Sequence, residues 1–284
     1  ITVHTNTFYI ELFRFAETIL GSTNYLPIIS FGYYYPTVKN DIVKCNEKGI
    51  MALAANGESI DLSLLSGKQL DEFILPSPER QSSQILKLFI QPVRRKFFQL
   101  IYHPKNQNPI TRIIQQIDYF RDRNATISRL LDNQAPSIMV LGGDMVEYDT
   151  AIYIKLAHKR KIPVLIIPST MSNGLEQAEA YFHNPDNNLD RWFNRLISRI
   201  FPKWLFFHRD RKLLRIQGER VLLFELLGIS PPRPWSFNSG FADAIAIESN
   251  RMKEYYLECG LPQEQLRVTG SLADDVMVDI LQIG

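Results

Sequence analysis

Residues 135–160 read APSIMVLGGDMVEYDTAIYIKLAHKR, and this stretch decides the fold that the rest of the sequence supports. Residues 137–141 form a short apolar run between a proline and a glycine pair, which is typical of a buried strand. Gly142 and Gly143 allow the backbone to turn sharply after that strand. Beyond the turn the apolar spacing becomes that of a helix, and residues 162–167 form a second apolar run. The stretch therefore predicts a β–α–β unit, which crosses over right-handed in a parallel sheet.

The beginning of the chain repeats this alternation. Short apolar runs predict strands at residues 1–4, 26–31 and 50–54. The 3.6-residue spacing of apolar side chains predicts helices at 8–20 and 38–48. Together with the central unit, this pattern predicts an α/β domain with a doubly wound parallel sheet, of the Rossmann-like type.

Two stretches fit the alternation less well and predict helical insertions, near residues 56–108 and near 175–235. Between them, residues 109–131 predict one long helix that begins at a proline. The alternation resumes at a strand predicted for 243–248, and we expect residues 1–270 to form one domain. Because the chain starts without methionine, we also expect it to be part of a longer protein.

The composition narrows the class of protein further. A chain of 284 residues with 45% apolar residues can bury a sizeable core. Its net charge of +2 gives no general indication of nucleic-acid binding. Two cysteines are too few for a disulfide framework, so a reduced, cytoplasmic location is expected. No apolar run reaches the roughly 20 residues of a membrane-spanning helix.

Two blocks of sequence resemble a known group of enzymes. Residues 242–275 read ADAIAIESNRMKEYYLECGLPQEQLRVTGSLADD, and upstream the chain has PSIMVLGGD at 136–144 and AHKRKIPVLII at 157–167. Blocks of this form, in this order, resemble the N-terminal domain of nucleotide-sugar enzymes of the GT-B type. That group includes inverting glycosyltransferases, non-hydrolysing UDP-N-acetylglucosamine 2-epimerases and CDP-glycerol polymerases.

The resemblance implies that the chain is the N-terminal half of a GT-B architecture. Residues 271–284 would begin the interdomain linker, and the nucleotide-binding second domain would lie beyond Gly284. The implied activity is transfer of a sugar or related group from a UDP- or CDP-linked donor, with no tightly bound cofactor. The acceptor would be a glycan or a lipid-linked molecule in surface polysaccharide or glycolipid assembly. Two alternatives stay open, namely sugar-nucleotide epimerisation and a non-catalytic binding domain with the same fold.

Asp144 and His4 are the candidate catalytic residues. In the resembling epimerases the carboxylate of the G-D pair lies near the sugar, and in a transferase it could orient or deprotonate the acceptor hydroxyl. A structural alternative is that Asp144 caps the helix that follows it. His4, at the end of the first predicted strand, is the second candidate base, although a lone histidine can also be purely structural. Asp149 is predicted to be a solvated acid in the first turn of the next helix.

The candidate substrate-binding residues lie where predicted strands end, since open α/β sheets bind ligands at that edge. They are Thr5, Asn6, Gly142, Gly143, Ser169, Thr170, Glu248, Gly270 and Ser271. Gly270 and Ser271 could offer backbone amides to a phosphate, or could simply form a tight turn. No G-x-G-x-x-G or G-K-[ST] motif is present, and the histidines lack metal-ligand spacing. Residues 168–174 read PSTMSNG where the epimerases have H-V-E-A-G-L-R, which favours transfer over epimerisation.

A basic segment at residues 185–215 carries eight basic and three acidic residues, interleaved with aromatic side chains. Within it, residues 189–201 predict an amphipathic helix whose apolar residues share one face. Such a segment suits an anionic membrane surface, so peripheral attachment at the inner face of the membrane is one expectation. The alternative is that the apolar face packs on the sheet and the arginines are solvated. Nucleic acid is not expected, because no recognised motif accompanies the charge.

Overall fold

A computed structural model of the chain describes residues 2–5, 9–22, 24–31, 38–55, 57–60, 109–146, 149–168 and 172–271. Most of the insertion expected near 56–108 lies outside the described residues, and so does almost all of the expected linker at 271–284. For residues 2–5, 9–11 and 111 only the backbone is described.

Seven parallel strands form one sheet in the order β3-β2-β1-β4-β5-β8-β9. Its strands are β1 (Thr2–Thr5), β2 (Ile28–Phe31), β3 (Met51–Ala54), β4 (Met139–Leu141), β5 (Val164–Ile166), β8 (Ala244–Ile247) and β9 (Leu266–Val268). Two further strands among the described residues, β6 (Leu205–His208) and β7 (Arg211–Leu214), pair antiparallel as a separate hairpin. The predicted central strands β4 and β5 are parallel neighbours, as expected from their unbroken apolar runs.

Helices connect the parallel strands along the chain. They are α1 (Tyr9–Ser22), α2 (Val38–Glu47), α3 (Pro109–Gln134), α4 (Thr150–Lys159), α5 (Gly174–Tyr181), α6 (Trp192–Ile200), α7 (Gly218–Leu226) and α8 (Asn250–Glu258). The long helix α3 begins at the predicted proline, where the missing N–H costs no intrahelical hydrogen bond. Gly49 follows α2 with φ +71°, a conformation that glycine adopts without strain.

The sheet is covered on both faces, which makes the fold doubly wound. Successive strand residues point to opposite faces, and the packing follows this rule. In β4, Met139 and Leu141 belong to a core formed with α3, α4, α7 and α8. Val140 lies between them and belongs to a second core, formed with α1 and α2. The sequence prediction of a doubly wound parallel sheet is therefore confirmed.

The long connection from β5 to β8 contains α5, α6, the β6–β7 hairpin and α7. The sequence predicted a helical insertion near 175–235 but gave no indication of the hairpin. The chain then returns to the sheet through residues 237–243, called here the return segment. Backbone bonds hold its two ends, from Phe237 N–H to the Ser172 carbonyl and from Asp243 N–H to the Val164 carbonyl. The side-chain amide of Gln265 donates to the carbonyls of Gly240, at the middle of the segment, and Ala242. The return segment thus lies beside β5 without belonging to a helix or a strand.

Candidate functional site

The strand order places a topological switch point between β1 and β4, at the centre of the sheet. From there, the connections lead to β2 and β3 on one side and to β5, β8 and β9 on the other. Open α/β sheets bind ligands in the crevice outside the carboxyl ends of the strands at such a point. In the parallel register His4 lies opposite Leu141, so the ends of β1 and β4 are level. The backbone therefore brings His4 and Thr5 next to the glycine pair that follows Leu141.

The other predicted site residues lie further along the same edge of the sheet. Glu248 follows β8 and is exposed, while Gly270 and Ser271 follow β9. Since neighbouring strands are about 4.8 Å apart, β8 lies about 10 Å and β9 about 14 Å from β4. Asn6, Ser169 and Thr170 are outside the described residues. The predicted residues that the structure describes thus share one edge, and His4, Thr5, Gly142 and Gly143 form its central group.

Asp144 follows the glycine pair but is buried, with only 3% of its surface exposed. Its carboxylate accepts hydrogen bonds from the return segment. The donors are the N–H and hydroxyl of Ser239, the hydroxyl at 3.0 Å, and the N–H of Phe241 at 3.0 Å. Buried backbone N–H groups need an acceptor, and these have none in a helix or strand ladder. Asp144 therefore ties the turn after β4 to the return segment.

Burial also changes the acidity of this carboxyl group. Desolvation raises the pKa of Asp144 from 3.8 to about 6, against the opposing effect of the hydrogen bonds from Ser239 and Phe241. The prediction that Asp144 caps the following helix is wrong. α4 begins after Asp149, which is its N-cap residue and forms no side-chain capping bond. The carboxylate is engaged by the return segment instead.

Asp149 belongs to a buried charge cluster that the sequence did not reveal. It was expected to be solvated, yet it is 4% exposed and forms a 2.7 Å ion pair with Arg123 of α3. The hydroxyl of Tyr119, one turn before Arg123, lies 2.7 Å from both carboxylate oxygens. Burial, followed by the charge of Asp149, raises the pKa of Tyr119. The cluster fastens the start of α4 to α3 close to the carboxyl edge of the sheet.

One sequence signal was available for this cluster. Tyr119 and Arg123 are four residues apart on α3, so they lie on the same face of that helix. Their carboxylate partner, however, lies 26 residues beyond Arg123 and could not be assigned from spacing alone. Within the described part of the chain, no group of three histidine, cysteine or acidic side chains is arranged to hold a metal ion.

Comparison with known proteins gives little further detail. No protein-family model and no curated protein sequence matches the chain. Among solved structures the chain is similar to UDP-N-acetylglucosamine 2-epimerase from Rickettsia bellii, with 12% identity and a TM-score of 0.37. The match covers 99% of this chain and 46% of the epimerase chain, so the chain spans about half the length of that protein. The fold class rests on the strand order and not on this similarity.

Proposed function

We propose that the chain is the acceptor-binding half of a GT-B-type enzyme that transfers a sugar or related group from a nucleotide-activated donor. The observation that carries this proposal is the switch point between β1 and β4, where His4, Thr5 and the pair Gly142–Gly143 are neighbours. The resemblance of the blocks at 136–167 and 242–275 to GT-B enzymes supports it. The donor would be a UDP- or CDP-linked sugar, held by a further domain.

The two candidate bases differ in how readily they could reach a substrate. A general base must come within hydrogen-bond distance of the acceptor hydroxyl. Asp144 is 3% exposed, and its oxygens are occupied by donors of the return segment. We therefore assign Asp144 a positioning role, in which it fixes the glycine turn, and retain His4 as the candidate base. The catalytic role that the sequence predicts for Asp144 stays a prediction, and the turnover assay described below tests it.

The test is a turnover assay on the full-length protein with UDP- and CDP-linked sugars, with and without a lipid extract or glycan acceptor. We expect release of UDP or CDP that depends on the acceptor, and a fall in kcat of about 10²–10⁴-fold in His4→Gln, the usual contribution of a general base. Formation of the C2 epimer without an acceptor would favour the epimerase alternative. Absence of both turnover and donor binding would favour the alternative of a non-catalytic binding domain.

The Asp144→Asn variant separates positioning from catalysis in that assay. Asparagine keeps the size of the side chain but cannot take a proton. If Asp144 positions the turn, kcat falls less than about 10-fold at temperatures where the variant is folded. A fall of about 10²–10⁴-fold in a variant of unchanged stability would instead make Asp144 the base.

A further inference from the structure

Helix α6 exposes three large apolar side chains along one face. Trp192, Leu196 and Ile200 are 61%, 44% and 55% exposed, and their spacing of four residues aligns them on the helix surface. The sequence placed these residues and four others, Leu189, Phe193, Ile197 and Phe201, on a single apolar face. The structure divides that face, because Phe193 and Ile197 pack into the core while the three exposed side chains point outward. The fold is thus already anchored through α6 without the exposed three.

Two arginines accompany the exposed apolar residues. Arg195 and Arg199 are exposed and, at the 3.6-residue repeat of a helix, border Trp192 and Leu196. In the described part of the chain neither has an ion-pair partner, and α6 contains no acidic residue. We call Trp192, Arg195, Leu196, Arg199 and Ile200 the α6 face.

Other basic residues of the segment 185–215 are used inside the protein. Arg191 pairs with the buried Glu219 at 2.5 Å. Ion pairs also join Lys203 to Glu225 and Arg209 to Glu179. Arg215 is 1% exposed, and its side chain donates to the Pro234 carbonyl. The excess positive charge seen in the sequence is therefore concentrated at the surface on the α6 face and on the hairpin residues near it in sequence.

We propose that the α6 face docks on the surface of an anionic lipid bilayer. A cationic and apolar face is complementary to such a surface, since arginine binds phosphate groups in a two-pronged geometry and the apolar side chains enter the acyl boundary. Tryptophan favours the level of the headgroups, where its ring is partly apolar and its N–H stays hydrated. None of the helices in the described part of the chain has the length and apolar character to cross a bilayer. The contact proposed is therefore peripheral, and it does not depend on the proposed enzymatic activity.

The chain carries its own reporter for this contact. Of its three tryptophans, Trp204 is 0% and Trp235 is 7% exposed, whereas Trp192 is 61% exposed. When the full-length protein is mixed with phosphatidylcholine–phosphatidylglycerol vesicles, we expect a blue shift of the emission and quenching by brominated acyl chains. Both changes should vanish in Trp192→Phe, which retains the two buried tryptophans. Vesicle flotation measures binding independently of fluorescence.

Charge variants test the electrostatic contribution to vesicle binding. Each arginine near an anionic surface contributes about a fivefold factor to partitioning, so Arg195→Gln with Arg199→Gln should weaken flotation about 25-fold. The matched control is Arg121→Gln with Arg129→Gln, which removes the same charge from exposed positions of α3. We expect the control to bind like the wild type. High salt should weaken wild-type binding, because screening shortens the reach of the charges.

Apolar variants test the insertion, with Leu196→Gln compared against Leu257→Gln, an α8 leucine of similar exposure. We expect loss of binding only for Leu196→Gln. The proposal is overturned if the wild type ignores anionic vesicles, or if it binds neutral vesicles equally and the arginine variants change nothing. It is also overturned if the wild type is a dimer that Leu196→Gln converts to a monomer without any vesicle binding. In that case the α6 face would bind a second copy of the chain.

Discussion

Asp144 and the α6 face both reverse the usual distribution of polar and apolar groups, and they do so in opposite ways. Asp144 is an acid that is 3% exposed, whereas Trp192 is an aromatic residue that is 61% exposed. Buried polar groups and exposed apolar patches are the informative exceptions in a protein. For Asp144 the explanation lies inside the molecule, since Ser239 and Phe241 donate hydrogen bonds to it. For Trp192, Leu196 and Ile200 the described residues offer no comparable internal explanation.

The comparison distinguishes a buried residue that stabilises the fold, Asp144, from an exposed surface that we propose to bind a partner, the α6 face. The sequence made Asp144 a candidate catalytic residue and left two interpretations of the 189–201 helix, contact with a membrane or packing on the sheet. The buried cluster of Tyr119, Arg123 and Asp149 is of the same kind as Asp144, because each charged side chain in it has a partner inside the protein. Experiments that remove one group at a time can sharpen or break this distinction.

The largest effect is expected for Asp144→Ala. The substitution leaves the N–H groups of Ser239 and Phe241 buried without their acceptor, and each such loss costs about 1–3 kcal/mol. We expect the free energy of unfolding to fall by about 3–4 kcal/mol in urea titrations at about pH 4, where the buried carboxyl is still protonated and its removal relieves no ionisation cost.

The matched control is Asp118→Ala, which removes an exposed acid from α3 and should change stability by less than about 0.5 kcal/mol. Equal stabilities of the Asp144 and Asp118 variants would contradict the anchoring role and return Asp144 to the list of candidate bases.

The pH dependence of stability should carry the signature of Asp144. Burial raises its pKa from 3.8 to about 6, so the folded state holds the proton more tightly than the unfolded state. Below about pH 3.8 the group is neutral in both states and costs nothing. Between about pH 3.8 and about 6 the unfolded chain has released this proton while the folded chain retains it, so stability falls as the pH rises. The displacement of the pKa corresponds to about 3 kcal/mol, complete above about pH 6.

The measurement compares urea unfolding of the wild type and of Asp144→Asn from pH 3.5 to 7.5. We expect the wild type to lose about 3 kcal/mol relative to the variant across this range. Other carboxylates titrate in both proteins and cancel in the difference. A constant difference would show that Asp144 ionises as readily in the folded chain as in the unfolded one.

A smaller effect is expected for Tyr119→Phe in the second buried cluster. The hydroxyl that this removes bonds to the carboxylate of Asp149, and a hydrogen bond to a charged group contributes about 1.5–3 kcal/mol. Because Arg123 remains paired with Asp149, we expect a loss near the lower end, about 1.5–2 kcal/mol. A double-mutant cycle with Asp149→Asn measures the coupling directly. Additive losses would mean that the two side chains do not interact.

The fold could be predicted from the sequence because its determinants are local. The apolar runs that became β4 and β5 are continuous and flanked by glycine or proline, so neighbouring residues alone mark them as buried strands. Gly49 and Gly260 follow helices α2 and α8, and both adopt the positive φ that glycine commonly takes at a helix end. The parallel direction of the strands followed from the alternation of strands and helices with right-handed crossovers.

The site was less predictable because its contacts are distant in sequence. Ser239 and Phe241 lie 95 and 97 residues beyond Asp144, and no motif links these positions. The exposed face of α6 could not be predicted from the sequence either, since Leu196 and Ile197 are both apolar and only packing decides which is buried. The hairpin of β6 and β7 was not predicted for another reason. Its basic and aromatic residues were interpreted as part of a membrane-binding segment, although Phe207 and Lys212 are paired across two strands.

The smallest effect on stability is expected for Leu196→Gln, and its smallness is the point of the experiment. Leucine and glutamine have similar helix propensities, and exposed substitutions change stability by less than about 0.5 kcal/mol. The neighbouring Ile197 is 2% exposed, so Ile197→Gln buries a polar amide in the core and should cost about 2–5 kcal/mol. Urea titrations of the two variants therefore compare adjacent apolar residues on one helix. If Leu196→Gln costs more than about 1 kcal/mol, Leu196 is covered within the protein, and the α6 face is a packing surface and not a docking surface. If the cost is negligible, the exposed leucine contributes nothing to folding, and the loss of vesicle binding in the same variant can be attributed to the lipid contact itself.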